Sequence, residues 1–465
     1  MRPSRPSRRR FIQLTALAAA GPMIVKPRAI CRAADGTPPP SGRITMGFIG
    51  VGKQGTNHLG AIVQRADVNI LAIADVQQER RDNARDVIGK ATGAISNSKK
   101  EPDPTNSNMP WVVQEGALSS AGSGGPATSA KDVRYYHDYR ELLARPDIDF
   151  VLIATPDHWH SNVATAACAA GKDVYCEKPL TLTIRQAKEL IDTVHRYDRV
   201  LQTGSQQRAS REFRFACEMV RSGRIGQLKS VTVITGTPSV ECDLPEEPIR
   251  KGVDWDMWLG PAPYRPFNKI LCPPVDDPGW ANWRLYRDYS GGAMTDFGAH
   301  HFDIAQWALA ADDTGPVEIT PPDGKDVKQL TFKYASGVHL YHESTGESFG
   351  GKGLRFEGTE GKIIVDRGYL ETTPARLRTV PTHVGETFLY KSPRHHEDFF
   401  RSVHLRKQPL CPVEVGAHSV TVCHLGNIAY WLGRPLRWDP AAWQFIGDEE
   451  ANRWLDRPQR APWMA

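Results

Sequence analysis

Three side chains in this sequence have the types and spacing to move a proton next to a carbonyl-forming carbon. Asp296 and His300 stand four residues apart in Gly291-Gly-Ala-Met-Thr-Asp-Phe-Gly-Ala-His-His-Phe-Asp303, which places them on one face of a helix near its start. Lys178 lies far earlier, in Glu177-Lys178-Pro179. An imidazole is the natural base near neutral pH, and a lysine ammonium can stabilise a developing alkoxide. A carboxylate beside the histidine should raise its pKa and orient it. These are the groups needed to oxidise CH–OH to C=O, provided something accepts the hydride.

The acceptor is announced by Gly50-Val51-Gly52-Lys53-Gln54-Gly55. An apolar, partly β-branched strand precedes it (43–49), and a segment with helical apolar spacing follows (56–66). A second apolar strand (68–74) ends at Asp75, 20 residues after Gly55. Together these form a dinucleotide-binding fingerprint in its strand–turn–helix setting. The first glycine permits the turn, the second admits a pyrophosphate to the backbone, and the third lets helix meet strand, with the helix N-terminus favouring anions. Asp75 would accept both ribose hydroxyls and repel a 2′-phosphate, so NAD is expected. Arg80 and Arg81 on the next helix leave NADP open.

Stepping outward along the chain, βα alternation runs from residue 43 to 205, with an insertion at 91–130 rich in Asn, Ser, Gly and Pro. Six parallel strands are expected, in a doubly wound sheet. Residues 206–440 read as an α+β domain with a large, mostly antiparallel sheet, and 441–465 as a Trp-bearing tail. Thr155, Pro156, His158 and Trp159 close the fourth strand and Glu177-Lys178 the fifth, at the sheet edge where ligands bind. Trp258, Arg284 and Tyr286 precede the Asp296 helix and are candidate substrate contacts. His300, His301 and Asp303 make a poor metal set, because adjacent helical histidines point about 100° apart. No metal is expected.

Residues 1–34 carry eight Lys/Arg and no acid, so the remainder falls from a formal +5 to −3, and charge gives no support to a nucleic-acid partner. Ser7-Arg8-Arg9-Arg10-Phe11-Ile12-Gln13 before an apolar run looks like a twin-arginine export signal, with a Pro-rich linker at 35–42. That run is too short to span a bilayer, so the mature form should have no membrane span and should reside in the periplasm or beyond. Twin-arginine export moves folded proteins, which fits a tightly bound nucleotide carried along. Of the eight cysteines, Cys168, Cys176, Cys217 and Cys423 read as core, and Cys242 and Cys272 as the candidate disulfide.

The glycine fingerprint, the strand-end segment 154–160, Glu-Lys-Pro and Asp-x-Gly-x-His-x-x-Asp, in this order from about 44 to 440, resemble the glucose–fructose oxidoreductase/inositol dehydrogenase (Gfo/Idh/MocA) family. The resemblance implies a Rossmann domain plus an open-sheet domain whose sheet face mediates homo-oligomers. It implies NAD(P)-dependent chemistry on a sugar or polyol, Lys178 beside the nicotinamide and the reacting oxygen, His300 as acid/base and Asp296 as its neighbour. Two other readings remain: a glycoside hydrolase or lyase that oxidises its sugar transiently, and a non-catalytic nucleotide-binding protein.

Overall fold

The computed structural model describes residues 43–97, 126–345, 351, 353–379, 385–392 and 394–463. The export signal, the linker and most of the insertion lie outside the described residues. The first unit alternates β1 (Ile44–Ile49), α1 (Lys53–Ile62), β2 (Val68–Ala74), α2 (Gln78–Asn97), β3 (Arg134–Tyr136), α3 (Tyr139–Leu143), β4 (Phe150–Ile153), α4 (Asp157–Ala169), β5 (Asp173–Cys176), α5 (Ile184–Arg196) and β6 (Leu201–Thr203). The six strands pair in parallel in the order β3-β2-β1-β4-β5-β6. β4 and β5 are buried at every residue, as strands covered on both faces must be. The reversal of strand order between β1 and β4 opens the crevice at their carboxyl ends. α2 runs to Asn97, further than the apolar pattern suggests, and Thr128 returns to donor distance of the β2 edge, its Oγ1 accepting from Ile70 N (3.1 Å).

After α6 (Arg211–Arg221) and β7 (Leu228–Ile234), loops containing α7 (Trp255–Leu259) lead to α8 (Ala293–Asp296) and α9 (Gly298–Ala308). Then come β8 (Glu318–Thr320), β9 (Leu330–Lys333), β10 (His339–Glu343), β11 (Leu354–Gly358), β12 (Lys362–Asp366), β13 (Tyr369–Thr373), α10 (His395–Leu405), α11 (Val413–Leu432), β14 (Leu436–Asp439), β15 (Gln444–Phe445) and α12 (Glu449–Asn452). Nine strands form one sheet, antiparallel throughout except for the β7–β10 pair. Alternation on β10 and β12 sends Leu340, Ile363 and Val365 inward to join Phe302 of α9 and Leu425 of α11 in one core.

Two features depart from the sequence reading. Phe399, Phe400 and Val403 of α10 lie in the core of the Rossmann sheet, and α11 spans both units, so the second half of the chain covers one face of the first. The pattern alone could not show this, because an apolar helix face does not name its partner. Cys242 and Cys272 are free, buried thiols in a separate apolar cluster with Trp255, Trp258 and Tyr289; no disulfide joins them. That cluster gives the loop-rich stretch a core of its own, which removes the need for a crosslink.

Candidate active site

The glycine turn is dictated by contact distances. Gly50 has φ +83°, and a Cβ there would sit 2.8 Å from the Ala154 carbonyl at the end of β4. A Cβ on Gly55 would sit 2.2 Å from the Gly50 oxygen, so only glycine lets α1 pack onto the turn. At Gly52 a Cβ would meet only the flexible Arg80 guanidinium, Nη1 at 3.6 Å, so the second glycine is not crowded by backbone. Asp75 orders this turn: Oδ2 accepts from Val51 N and Oδ1 from Gln77 N, both 2.9 Å. Lys53 turns across the opening, its ammonium donating to the Pro278 and Gly279 carbonyls, and Arg80 donates to Pro273 O (3.1 Å). Arg81 is spent on the Asp75 carbonyl.

The turn forms one end of a cavity of about 680 Å³ that reaches Lys178, Asp296 and His300 at the other. Glu177, at the end of β5, holds the two ends in register. Its Oε1 takes His58 Nε2 of α1 (2.7 Å), Gln54 Nε2 (3.3 Å) and Gln206 Nε2 (2.8 Å). Burial alone would raise its pKa; the His58 bond and charge, with Lys178 and Gln54, outweigh that and hold it at about 2. His58 Nδ1 in turn meets His396 Nε2 of α10 at 2.8 Å. His58, His395 and His396 all border the cavity. Neither His395 nor His396 is among the site residues the sequence singles out.

Next to Glu177, Lys178 faces the other way. Its ammonium donates to Asp296 Oδ1 (2.7 Å) and to Asp296 O (2.8 Å) at the end of α8. Asp296 Oδ2 lies 3.7 Å from Arg284 Nε. Burial pushes the Asp296 pKa up, and Lys178 and Arg284 more than reverse it, leaving it below the ordinary range. His300 makes no bond to Asp296. The helical run is interrupted at Phe297, between α8 and α9, and the Asp296 carboxylate is bonded to Lys178. Burial first, then the Lys178 and Arg367 cations, drives the His300 pKa well below 6.5. The expectation that Asp296 raises it is therefore overturned: the carboxylate is neutralised by Lys178. The lowered pKa favours a neutral His300, whose Nδ1 is buried without a partner.

Asp157, in the first turn of α4, was not singled out from sequence. It is buried on the cavity wall, takes a bond from Ser290 Oγ (2.6 Å), and has its pKa pushed up to about 7, mainly by burial. Trp159 and Trp258 also border the cavity, and the Trp258 carbonyl accepts from Trp159 Nε1 (3.1 Å) and contacts His158 Nε2 (3.0 Å). His158 itself packs between Trp258 and Tyr289, and burial pushes its pKa down to about 4. His160 contacts Thr155 O (2.9 Å) and Pro179 O (2.7 Å), tying the ends of β4 and β5 together. Pro156 caps α4.

Besides Gly55 beneath the turn, three candidates fall outside the cavity lining: His158, His301 and Tyr286. His301 bonds the Ile234 carbonyl through Nδ1 (2.7 Å) and packs over Gly353, where a Cβ would sit 2.6 Å from its ring. Tyr286 joins the loop cluster beside Val240. Asp303 is buried in a pair with Arg208 (2.9 Å) and accepts from Ser419. Sequence spacing placed these near the site without fixing their direction.

The cavity suits a nicotinamide nucleotide: Gly52 leaves room at the helix N-terminus, and Gln54 Oε1, Thr155 Oγ1 and His300 Nδ1 are buried polar atoms awaiting partners. Comparisons with known proteins agree. Residues 115–205 match an oxidoreductase family's NAD-binding Rossmann fold, and residues 235–465 match that family's C-terminal alpha/beta domain. A glycosyl hydrolase family 109 protein from Shewanella sp. (strain W3-18-1) is 30% identical over 185 residues, 40% of this chain and 33% of that protein. An alpha-N-acetylgalactosaminidase from Shewanella oneidensis is 31% identical over the same 40% of this chain and 33% of its own length, so the match spans about a third of these relatives. The WlbA dehydrogenase from Bordetella pertussis, solved with NADH and UDP-GlcNAcA, superposes with a TM-score of 0.55 at 16% identity, over 85% of this chain and 99% of that one. With both halves of its fold matched and the glycine turn, Lys178 and His300 gathered in one cavity, the chain belongs to the Gfo/Idh/MocA oxidoreductase family.

Proposed function

We propose that this protein oxidises a carbohydrate hydroxyl, with the proton passing to His300. The observation that carries the reading is one cavity holding the glycine turn at one end and Lys178, Asp296 and His300 at the other. A bound nicotinamide supplies the hydride acceptor. Lys178 has two bonds to Asp296, and its third N–H remains for the substrate oxygen, where it stabilises charge as the hydroxyl proton leaves. His300, kept neutral, is free to take that proton. In the reverse direction it returns the proton to the nascent alkoxide.

NAD is the preferred nucleotide in this reading, because a carboxylate at Asp75 disfavours a 2′-phosphate and Arg81 is committed to a backbone carbonyl. The twin-arginine segment supports an exported enzyme that carries its nucleotide, and the Lys53 and Arg80 bonds across the glycine turn support slow release.

A glycosidase or lyase cycle is the second reading. It is favoured by the names of the Shewanella relatives and by Asp157, a carboxyl poised near neutrality that can protonate a leaving oxygen. The test is to denature the purified protein, identify the nucleotide released, and screen sugars on the loaded enzyme for reduced-nicotinamide absorbance. Net reduction by a simple sugar supports the first reading; release of an aglycone without net reduction supports the second. A protein that binds no nicotinamide nucleotide sinks both.

A further inference from the structure

Most cations at the catalytic end already have an anion. Lys178 holds Asp296, and Arg284 leans on Asp296 Oδ2 (3.7 Å) while stacking on Trp283 (4.2 Å). Arg367 is different. It stands in the turn between β12 and β13 and borders the cavity beside His300. With the Gln207 amide oriented to satisfy its neighbours, its nitrogen donates to His300 O (3.0 Å) and its oxygen accepts from Arg367 Nε (3.1 Å). The guanidinium lies over the Phe297 ring at 5.0 Å, and that ring also touches His300 edge-on at 6.1 Å. Among the described residues no carboxylate lies within ion-pair distance of it, and neither terminal nitrogen has a hydrogen-bond partner.

A guanidinium anchored at Nε, stacked on one face and open at both Nη groups is a preorganised fork for an oxyanion. Arg367 is solvent-exposed at the cavity, and the Asp366 and Asp296 carboxylates act on it only from beyond ion-pair distance, so its terminal nitrogens are open to an incoming anion. We propose that Arg367 selects a sugar bearing an oxyanion, a carboxylate in the first instance, and places it so that a neighbouring hydroxyl meets His300 and Lys178. This rests on the proposed action on a sugar hydroxyl and names the substrate class. Once bound, the oxyanion would neutralise Arg367 and strengthen His300 as a base, so charge recognition and proton abstraction would be linked.

The test uses full-length, nucleotide-loaded protein and calorimetric titration with glucose and galactose, their uronates and their 6-phosphates. At least one uronate should bind wild type roughly 10- to 100-fold more tightly than its neutral sugar, the range of a charge-assisted bond. Arg367→Gln should erase that margin with nucleotide content unchanged, and Arg367→Lys should restore part of it, since charge returns without the fork. A 6-phosphate that outbinds the uronate with the same dependence on Arg367 supports the oxyanion site and assigns it to a phosphate ester. Equal affinity for neutral and acidic sugars, no binding of either acid, or an acid preference that survives Arg367→Gln overturns it. Arg367-dependent uronate binding without any change in nicotinamide absorbance would keep this site and sink hydride transfer. Oxidation of neutral sugars with no acid preference would do the reverse.

Discussion

On the Rossmann wall of the cavity, the important atoms are backbone, fixed by steric contacts within Gly50 to Gly55. On the facing wall they are side-chain nitrogens and oxygens, and Arg284, Asp296, His300, Arg367 and His395 reach it from separate loops, turns and helix starts. The first wall fails if a methyl group is added; the second fails if a charge is removed. Steric necessity leaves a local signature in sequence, whereas electrostatic assembly leaves scattered residues whose meeting depends on the whole fold.

The largest expected effect tests the Rossmann wall. Gly55→Ala would put a Cβ 2.2 Å from the Gly50 oxygen, so the turn must open and nucleotide content in the purified protein should fall to near zero. Retained nucleotide would show that the turn yields more easily than contact distances imply. On the other wall, His300→Ala and Lys178→Ala should each lower turnover roughly 10²- to 10⁴-fold while leaving the nucleotide in place. The acid limb of the wild-type rate profile should lie below 6.5, since His300 is held neutral by burial and two cations. A limb above 6.5 would return Asp296 to the role it was expected to play.

Glu177→Gln probes the seam between the walls. A carboxyl held at about 2 instead of 4.5 contributes on the order of 3 kcal/mol. Because its folded pKa is depressed, that stability is present above pH 4.5 and is lost as pH falls towards 2. Denaturant titrations should therefore separate wild type from variant at neutral pH and bring them together near pH 2. Asp157→Asn should behave with the opposite sign. A pKa raised from 3.8 to about 7 means full stability below 3.8, lost as pH rises through 7. The variant should match wild type in acid and gain on it above neutrality. The smallest effect is a control on the first wall: Gly60→Ala, inside α1 with nothing within 4 Å of the added Cβ, should stabilise by about 0.5–1 kcal/mol.

The doubly wound sheet was legible because parallel strands buried on both faces read as apolar runs, and the glycine turn because its geometry tolerates few residues. Lys178 and His300 were legible through local motif context. Their coupling was not: Asp296 and His300 share a spacing, yet the Asp296 carboxylate is bonded to Lys178, which arrives from the end of β5. Asp157 acquires its raised pKa from burial, which outweighs the lowering bond from Ser290, 133 residues away in sequence. Arg367 is an ordinary turn residue until α9 and Gln207 are placed around it. His301 shows the converse, a histidine in the right sequence position whose ring turns to the β7 carbonyl of Ile234.

Lys53 and Arg80 reach from the nucleotide turn and α2 to the carbonyls of Gly279 and Pro273, and Arg250 ties Glu79 (2.9 Å) to the Cys272 carbonyl (3.1 Å). These bonds lay a strap across the entrance through which a nucleotide would pass. Departure would then be gated: the residence time would equal the waiting time for the strap to lift, whichever redox form lies beneath it. Oxidised and reduced nucleotide should exchange at one common rate, measurable with isotopically labelled cofactor, and unequal rates would mean that the strap does not control the exit. A common rate slower than turnover would make the enzyme a closed redox vessel. A second sugar would then have to collect the hydride left by the first, and double-reciprocal plots for the two would run parallel.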